Sequence, residues 1–170
     1  MNKASLLAEV SHEADNTRKL FDAIPDSALD YKPNDFNWSI GQLAAHTAEV
    51  YNWMVPTLEQ NVMDMAAYRY DKGDISNMVS IRAKLEENIS VAENCIKNLP
   101  EEMLGGEWSM VAGENVLMPP MPKVLVVRSF LLNHLYHHRG ELVAYLRASG
   151  NTVPGLYGPS FEEKQAMQQA

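Results

Sequence analysis

The run Asn133-His134-Leu135-Tyr136-His137-His138-Arg139-Gly140-Glu141 sets two imidazoles, His134 and His138, four residues apart inside an apolar stretch. On a helix, residues at i and i+4 lie one above the other with about 5 to 6 Å between their Cβ atoms, so both rings can lean toward one ion. A third ligand has to come from elsewhere in the chain. The best candidate is His46, in Trp38-Ser39-Ile40-Gly41-Gln42-Leu43-Ala44-Ala45-His46, because helical spacing places it on an apolar face with Leu43, Val50, Trp53 and Met54.

A lone histidine on such a face is more often hydrogen-bonded than ligating. Two of them on one dry face change the balance, because each ring nitrogen left without a partner costs about 1 to 3 kcal/mol and a metal takes one nitrogen from each ring. Three neutral imidazoles suit Zn, Ni, Fe or Co and leave at least one coordination position open. His137 competes within the run, three residues after His134, but it shares its face with Asn133 and Glu141 and is read as a flanking group. His12 lies with Glu9, Asp15, Asn16 and Lys19 on a polar face and reads as solvated.

Four helices must position these rings. The first spans about Lys3 to Ala23, with Leu6, Val10, Thr17, Leu20, Phe21 and Ile24 on one stripe and Pro25 after it. The second starts at Ser39, where Ser39 and Gln42 form a capping box and Trp38 is placed to staple the entry; Pro56 kinks or ends it. Residues Met63 to Asp74 read as a connection with some helical character. The third helix, about Ser76 to Asn98, carries Met78, Ile81, Leu85, Ile89, Ala92 and Ile96 at spacings of three and four. A loop-rich stretch from Pro100 to Pro122 follows, with a short β-hairpin expected over Trp108 to Met118 around Ala112-Gly113-Glu114-Asn115. The fourth helix runs from about Lys123 to Ala148 and stops at Gly150. The expectation is an all-α four-helix bundle, one domain over residues 1–170 with its core at about 3–149 and an extended, then polar, tail.

Composition narrows the partners. With 14 basic and 22 acidic residues the net charge is -8, and no Lys/Arg cluster offers a phosphate-binding surface, which argues against nucleic acid. Cys95 is the single cysteine, so an intramolecular disulfide framework and thiolate-rich zinc sites are excluded, and its neighbours Ala92, Ile96 and Leu99 make it a buried or half-buried small hydrophobe. The stretch Met1 to Val10 does not read as a signal peptide, and Val124 to Leu135 is too short and too interrupted to span a bilayer, so a cytoplasmic protein without a membrane partner is expected. Most of the ten methionines read as flexible core filler, with some available to a ligand pocket or subunit interface.

Trp38-Ser39 ahead of a helix bearing His46, the run His134-x-x-x-His138-Arg139-Gly140, and the closing Val153-Pro154 with Tyr157-Gly158-Pro159-Ser160 together resemble the DinB-like (damage-inducible protein) superfamily. The resemblance covers nearly the whole chain. It implies a four-helix bundle with a long connection, commonly a homodimer, and a divalent metal, usually nickel or zinc, on three histidines that map to His46, His134 and His138. Characterised members of that superfamily include thiol-dependent transferases and isomerases that use low-molecular-weight thiols such as bacillithiol or mycothiol. Glu141 departs from the pattern, since many members have Gln there.

The leading expectation is therefore a metal-dependent thiol S-transferase acting on a small-molecule substrate, with the thiol bound at the open position as thiolate. Arg139 is expected to orient the helix or an acidic group of the cosubstrate. Glu49 and Tyr145 are base candidates by spacing alone. One alternative is a metal-dependent hydrolase, which needs Glu49 or Glu141 as base. Another is a non-catalytic metal-binding or dimerisation module.

Overall fold

Asn2 opens the first helix, α1 (Lys3–Asp22), by accepting from the Ser5 amide while the Ser5 hydroxyl returns a bond to the Asn2 backbone. The structure, a computed structural model, describes residues 2–169. Ser39 and Gln42 cap α2 (Ile40–Asn52) reciprocally, as their spacing requires. The chain breaks at Trp53 rather than at Pro56, which lies in the first turn of α3 (Met54–Glu59), where a proline removes no helical bond. Asn77 caps α4 (Met78–Asn98).

The last long helix is continuous but not uniform. It begins as α5 (Lys123–Val126), widens into a π turn (Val127–Leu132) and continues as α6 (Asn133–Ala148). The extra residue in a π turn rotates everything after it. Val127 and Leu131 are buried within the π turn, and Leu135, His138 and Leu142 after it. α6 closes in a Schellman motif: the Gly150 amide bonds the Arg147 carbonyl and the Asn151 amide the Leu146 carbonyl, with Gly150 at φ 80°.

Helix α2 is buried on almost every side, with Gln42 alone exposed between Ile40 and Tyr51. It packs against α4 and α6, and α1 packs against the same two helices, so α1, α4, α2 and α6 close a four-helix ring. Leu6, Val10, Leu20 and Phe21 from α1, Leu43 and Tyr51 from α2, Leu85 and Ile96 from α4, and Leu135 and Leu146 from α6 form its interior.

A small sheet is the main addition to the expected architecture. The hairpin is present as β2 (Glu107–Ala112) and β3 (Asn115–Pro122), and Gly113 at φ 60° makes its two-residue turn, with no other positive φ there. Ahead of them β1 (Val62–Asp64) pairs in parallel with β2, with Val62 opposite Ser109. Residues 63–74 therefore hold a strand end and turns, not helix, because the Asp64 carboxylate accepts from the Ala66 and Gly113 amides and ties the segment to the hairpin. Pro119 and Pro120 lie in β3, at the sheet edge, where their missing N–H groups break no ladder. The Trp108 indole donates to the Pro56 carbonyl at 3.0 Å and Lys123 to the Leu58 carbonyl at 2.8 Å, which fastens sheet and α5 to the end of α3.

The tail also departs from the extended reading: residues 161–169 form α7 (Phe161–Gln169), which buries none of its side chains. Ion pairs from Arg147 to Glu162 and from Lys19 to Glu163 hold it instead. Cys95 is 8% exposed, and burial pushes its thiol up to about 12, so it is the inert hydrophobe its context suggests. Among the described residues no helix is long and apolar enough to cross a membrane.

Candidate metal centre

Helices α2 and α6 lie side by side, and that contact brings three imidazoles together. The Nε2 atoms of His46 and His134 are 3.2 Å apart, and the His46 ring centroid is 4.8 Å from that of His138. His134 and His138, stacked one turn apart on α6, have centroids 4.5 Å apart. Their ligand atoms all fall within 4.8 Å of one another. Two nitrogens bound to one tetrahedral ion at about 2.0 to 2.1 Å are about 3.3 Å apart, so the His46–His134 separation matches what an ion between them requires.

The outer nitrogens are already committed. His46 Nδ1 donates to Glu49 Oε2 at 3.1 Å, and His138 Nδ1 donates to Glu141 Oε2 at 2.7 Å. A carboxylate on Nδ1 fixes the tautomer, turning the Nε2 lone pair inward and raising its basicity. His138 Nε2 is buried and has no hydrogen-bond partner among the described residues. An orphaned, buried nitrogen beside two others fits a divalent cation.

Burial disfavours the charged form of His134 and His138. Desolvation lowers the pKa of His134 to about 4, and the neighbouring charges of His138, His46 and His137 push in the same direction. His138 is lowered as well, first by desolvation, while its bond to Glu141 pulls the other way. Neutral imidazoles offer their lone pairs without proton competition.

Aromatic rings wall the centre. Trp38, expected as a staple for α2, turns its ring onto His46 at 4.8 Å and His138 at 6.1 Å. Trp53 lies 5.6 Å from His46 and 5.5 Å from His134, and stacks on Phe130. Beside His138 opens a cleft of about 220 Å³, lined by Phe36, Asn37, Trp38, Glu141 and Tyr145, and Tyr145 is bonded there to the Asn37 amide. No methionine lines it. Met54, Met63, Met78 and Met110 are core residues, as filler would be.

The other named residues separate cleanly. His137 is exposed, with Nε2 3.5 Å from Glu141, so it flanks the cluster through a shared carboxylate. His12 is exposed on α1, although its neighbour Asn16 is buried. Arg139 is 1% exposed on the opposite face of α6, where Glu13, Thr17 and Tyr157 enclose its guanidinium. Its ion pair and hydrogen bonds tie α6 to α1, on the side of α6 away from the imidazoles. The carboxylates behind the rings had a signal in the sequence: each stands three residues after its histidine, His46 to Glu49 and His138 to Glu141.

Comparison with known proteins agrees with this architecture. Uncharacterized protein YrdA of Bacillus subtilis (strain 168) is 28% identical over 167 residues, covering 89% of this chain and 85% of that protein. A DinB-like protein from Bacillus cereus superposes with a TM-score of 0.71 at 19% identity, over 92% of this chain and 98% of its own. YfiT from Bacillus subtilis, described as a probable metal-dependent hydrolase with an unusual four-helix bundle topology, gives a TM-score of 0.63 at 16% identity, over 88% and 89%. The sequence profile of the DinB family matches residues 1–170, and the chain belongs to that family.

Proposed function

We propose that the chain is a divalent-metal-dependent enzyme whose ligands are His46, His134 and His138, and that it transfers a low-molecular-weight thiol onto an electrophilic small molecule. The observation that carries this reading is the position of the two carboxylates. Glu49 and Glu141 both bond the outer ring nitrogens, on the far side of the imidazoles from the converging Nε2 atoms. A thiol needs no carboxylate in front of the centre. His46, His134 and His138 would hold a divalent ion such as nickel or zinc, which would supply Lewis acidity and lower the pKa of a bound thiol.

The chain's own groups do the rest. Glu49 and Glu141 hold the rings in one tautomer, Trp38 and Trp53 restrict water, and the cleft between Trp38 and Tyr145 admits the electrophile. The thiol proton leaves to solvent. The sulfur lone pair forms the new carbon–sulfur bond, and the leaving group departs with the electron pair of the bond that breaks.

Hydrolysis is the second reading, favoured by the description of YfiT as a probable metal-dependent hydrolase. It calls for a base able to take a proton from water at the open side, and both nearby carboxylates face the other way. Titrating a thiol into the cobalt-substituted protein separates the two. A sulfur-to-cobalt charge-transfer band, followed by thioether formation with alkyl electrophiles, supports transfer. No band, with turnover of an ester or amide panel, replaces it with hydrolysis. A homodimer belongs to the same proposal, and light scattering of the metal-loaded protein tests it; no turnover by a dimer that survives chelation would leave only the interaction module.

A further inference from the structure

Arg139 pairs with Glu13 on the other side of α6, and among the described residues the cation seen against the groups around the imidazoles is Lys72. Its Nζ sits 5.8 Å from the centroid of the Trp38 ring and 3.8 Å from Glu49 Oε2. Both of those groups touch the centre directly, Trp38 through the His46 and His138 rings and Glu49 through His46 Nδ1. Neighbouring cations are engaged elsewhere: Arg69 donates to the Ala66 and Tyr68 carbonyls, and Lys84 pairs with Glu87. In the π turn ahead of α6, Arg128 pairs with Glu9.

Lys72 is placed to bind something more. At 3.8 Å its contact with Glu49 is longer than a hydrogen bond, and that Glu49 oxygen already accepts from His46. The nearby acids Asp71 and Asp74 spend carboxylate oxygens on the amides of Gly73 and Ser76. An ammonium has three donors and no acceptor. Its side chain is 46% exposed, so those donors open to solvent at the rim of the centre, held by the face of Trp38. In a chain of net charge -8, an ammonium over the Trp38 ring gives a local attraction for anions that the acidic surface elsewhere lacks.

We propose that Lys72 is a specificity-determining residue that binds the anionic group of the thiol cosubstrate, selecting carboxylate-bearing thiols over neutral ones. This rests on the thiol-transfer reading. The sulfur occupies the open side of the three imidazoles, and the carboxylate, a short chain away, meets Nζ above Trp38.

The test uses the full chain loaded with cobalt, with 3-mercaptopropionate and its neutral amide as probes and the charge-transfer band as readout. The wild type should bind the anionic thiol about three- to fivefold more tightly, the range of an exposed ion pair. Added salt should shrink the preference. Lys72→Gln should abolish it, Lys72→Glu should reverse it and Lys72→Arg should keep it. Equal affinity for both thiols in the wild type, or a preference that survives in Lys72→Gln, overturns the role of Lys72 while the band itself upholds thiol binding. If Lys72→Gln lowers cobalt content but leaves the preference intact, Lys72 serves only to steady Glu49, and the proposal fails. If neither thiol gives a band, the thiol-transfer reading fails first and this inference with it.

Discussion

His46 Nε2 and His134 Nε2 face each other at 3.2 Å across the seam between α2 and α6, 88 positions apart in the chain. Two basic nitrogens at that distance repel unless a proton or a cation lies between them. The fold imposes the approach from both sides. The Ser39–Gln42 capping box fixes where α2 begins, and the π turn at Val127–Leu132 sets the face that α6 presents. Four predictions follow from how that approach is supported.

The carboxylates behind the rings should matter nearly as much as the rings. Glu141→Ala and Glu49→Ala each remove an acceptor that orients an imidazole, and a loss of metal affinity of about 10- to 100-fold is expected. Competition with a chromophoric chelator measures it. Unchanged affinity in both variants would mean that the rings are held by packing alone.

The metal-free protein should weaken as pH falls through the histidine range. His134 is held at about 4 in the folded chain against the ordinary histidine 6.5, so between those values the unfolded chain binds more protons than the folded one. Stability is full above about pH 6.5 and declines toward 4, and His138, also lowered, adds in the same sense. Glu13 acts lower: burial pushes its carboxyl up, but bonds from Tyr157 and Arg139 outweigh this and hold it below 4.5, so its contribution is lost only beneath that value. Urea denaturation of chelated protein across this range checks the slope, and His134→Gln should flatten it between 6.5 and 4. A midpoint that ignores pH there contradicts the assignment.

Arg139 should behave as a residue of the fold. Removing one partner of a buried ion pair strands the other, so Arg139→Met should destabilise by about 3 to 5 kcal/mol through the unpaired buried charge of Glu13. The protein that remains folded should keep its metal. Loss of metal with little change in denaturation midpoint would place Arg139 in the centre instead.

Ser39→Ala removes the side-chain bond to the Gln42 amide at the start of the helix that carries His46. About 1 kcal/mol of stability should go with it, seen in thermal or urea unfolding. No change would show that packing of α2 among its neighbours already fixes its start.

Much of this was legible in the sequence, for physical reasons. The i, i+4 pair His134 and His138, the apolar face around His46 and the Ser39-x-x-Gln42 cap are local patterns that helical geometry converts directly into positions. The turn at Gly113 was legible too, because a two-residue hairpin demands positive φ there. The strand β1 was not, since three residues hold no period and its pairing with β2 is nonlocal. Nor was α7, whose amphipathicity is weak because ion pairs rather than apolar burial hold it. The partner of Arg139 lies 126 residues away on α1, and no spacing rule announces that contact. The roles of Glu49 and Glu141 were half visible: the spacing was there, but whether a carboxylate at i+3 faces the ion or the back of the ring depends on the rotamer.

The ligand set itself is the central claim, and metal content is its most direct test. Protein purified without a histidine tag should carry one divalent ion per chain by elemental analysis, and His46→Ala and His138→Ala should each lose it while the helical circular dichroism persists. If those variants remain folded and retain the wild-type metal content, the three-histidine centre is wrong.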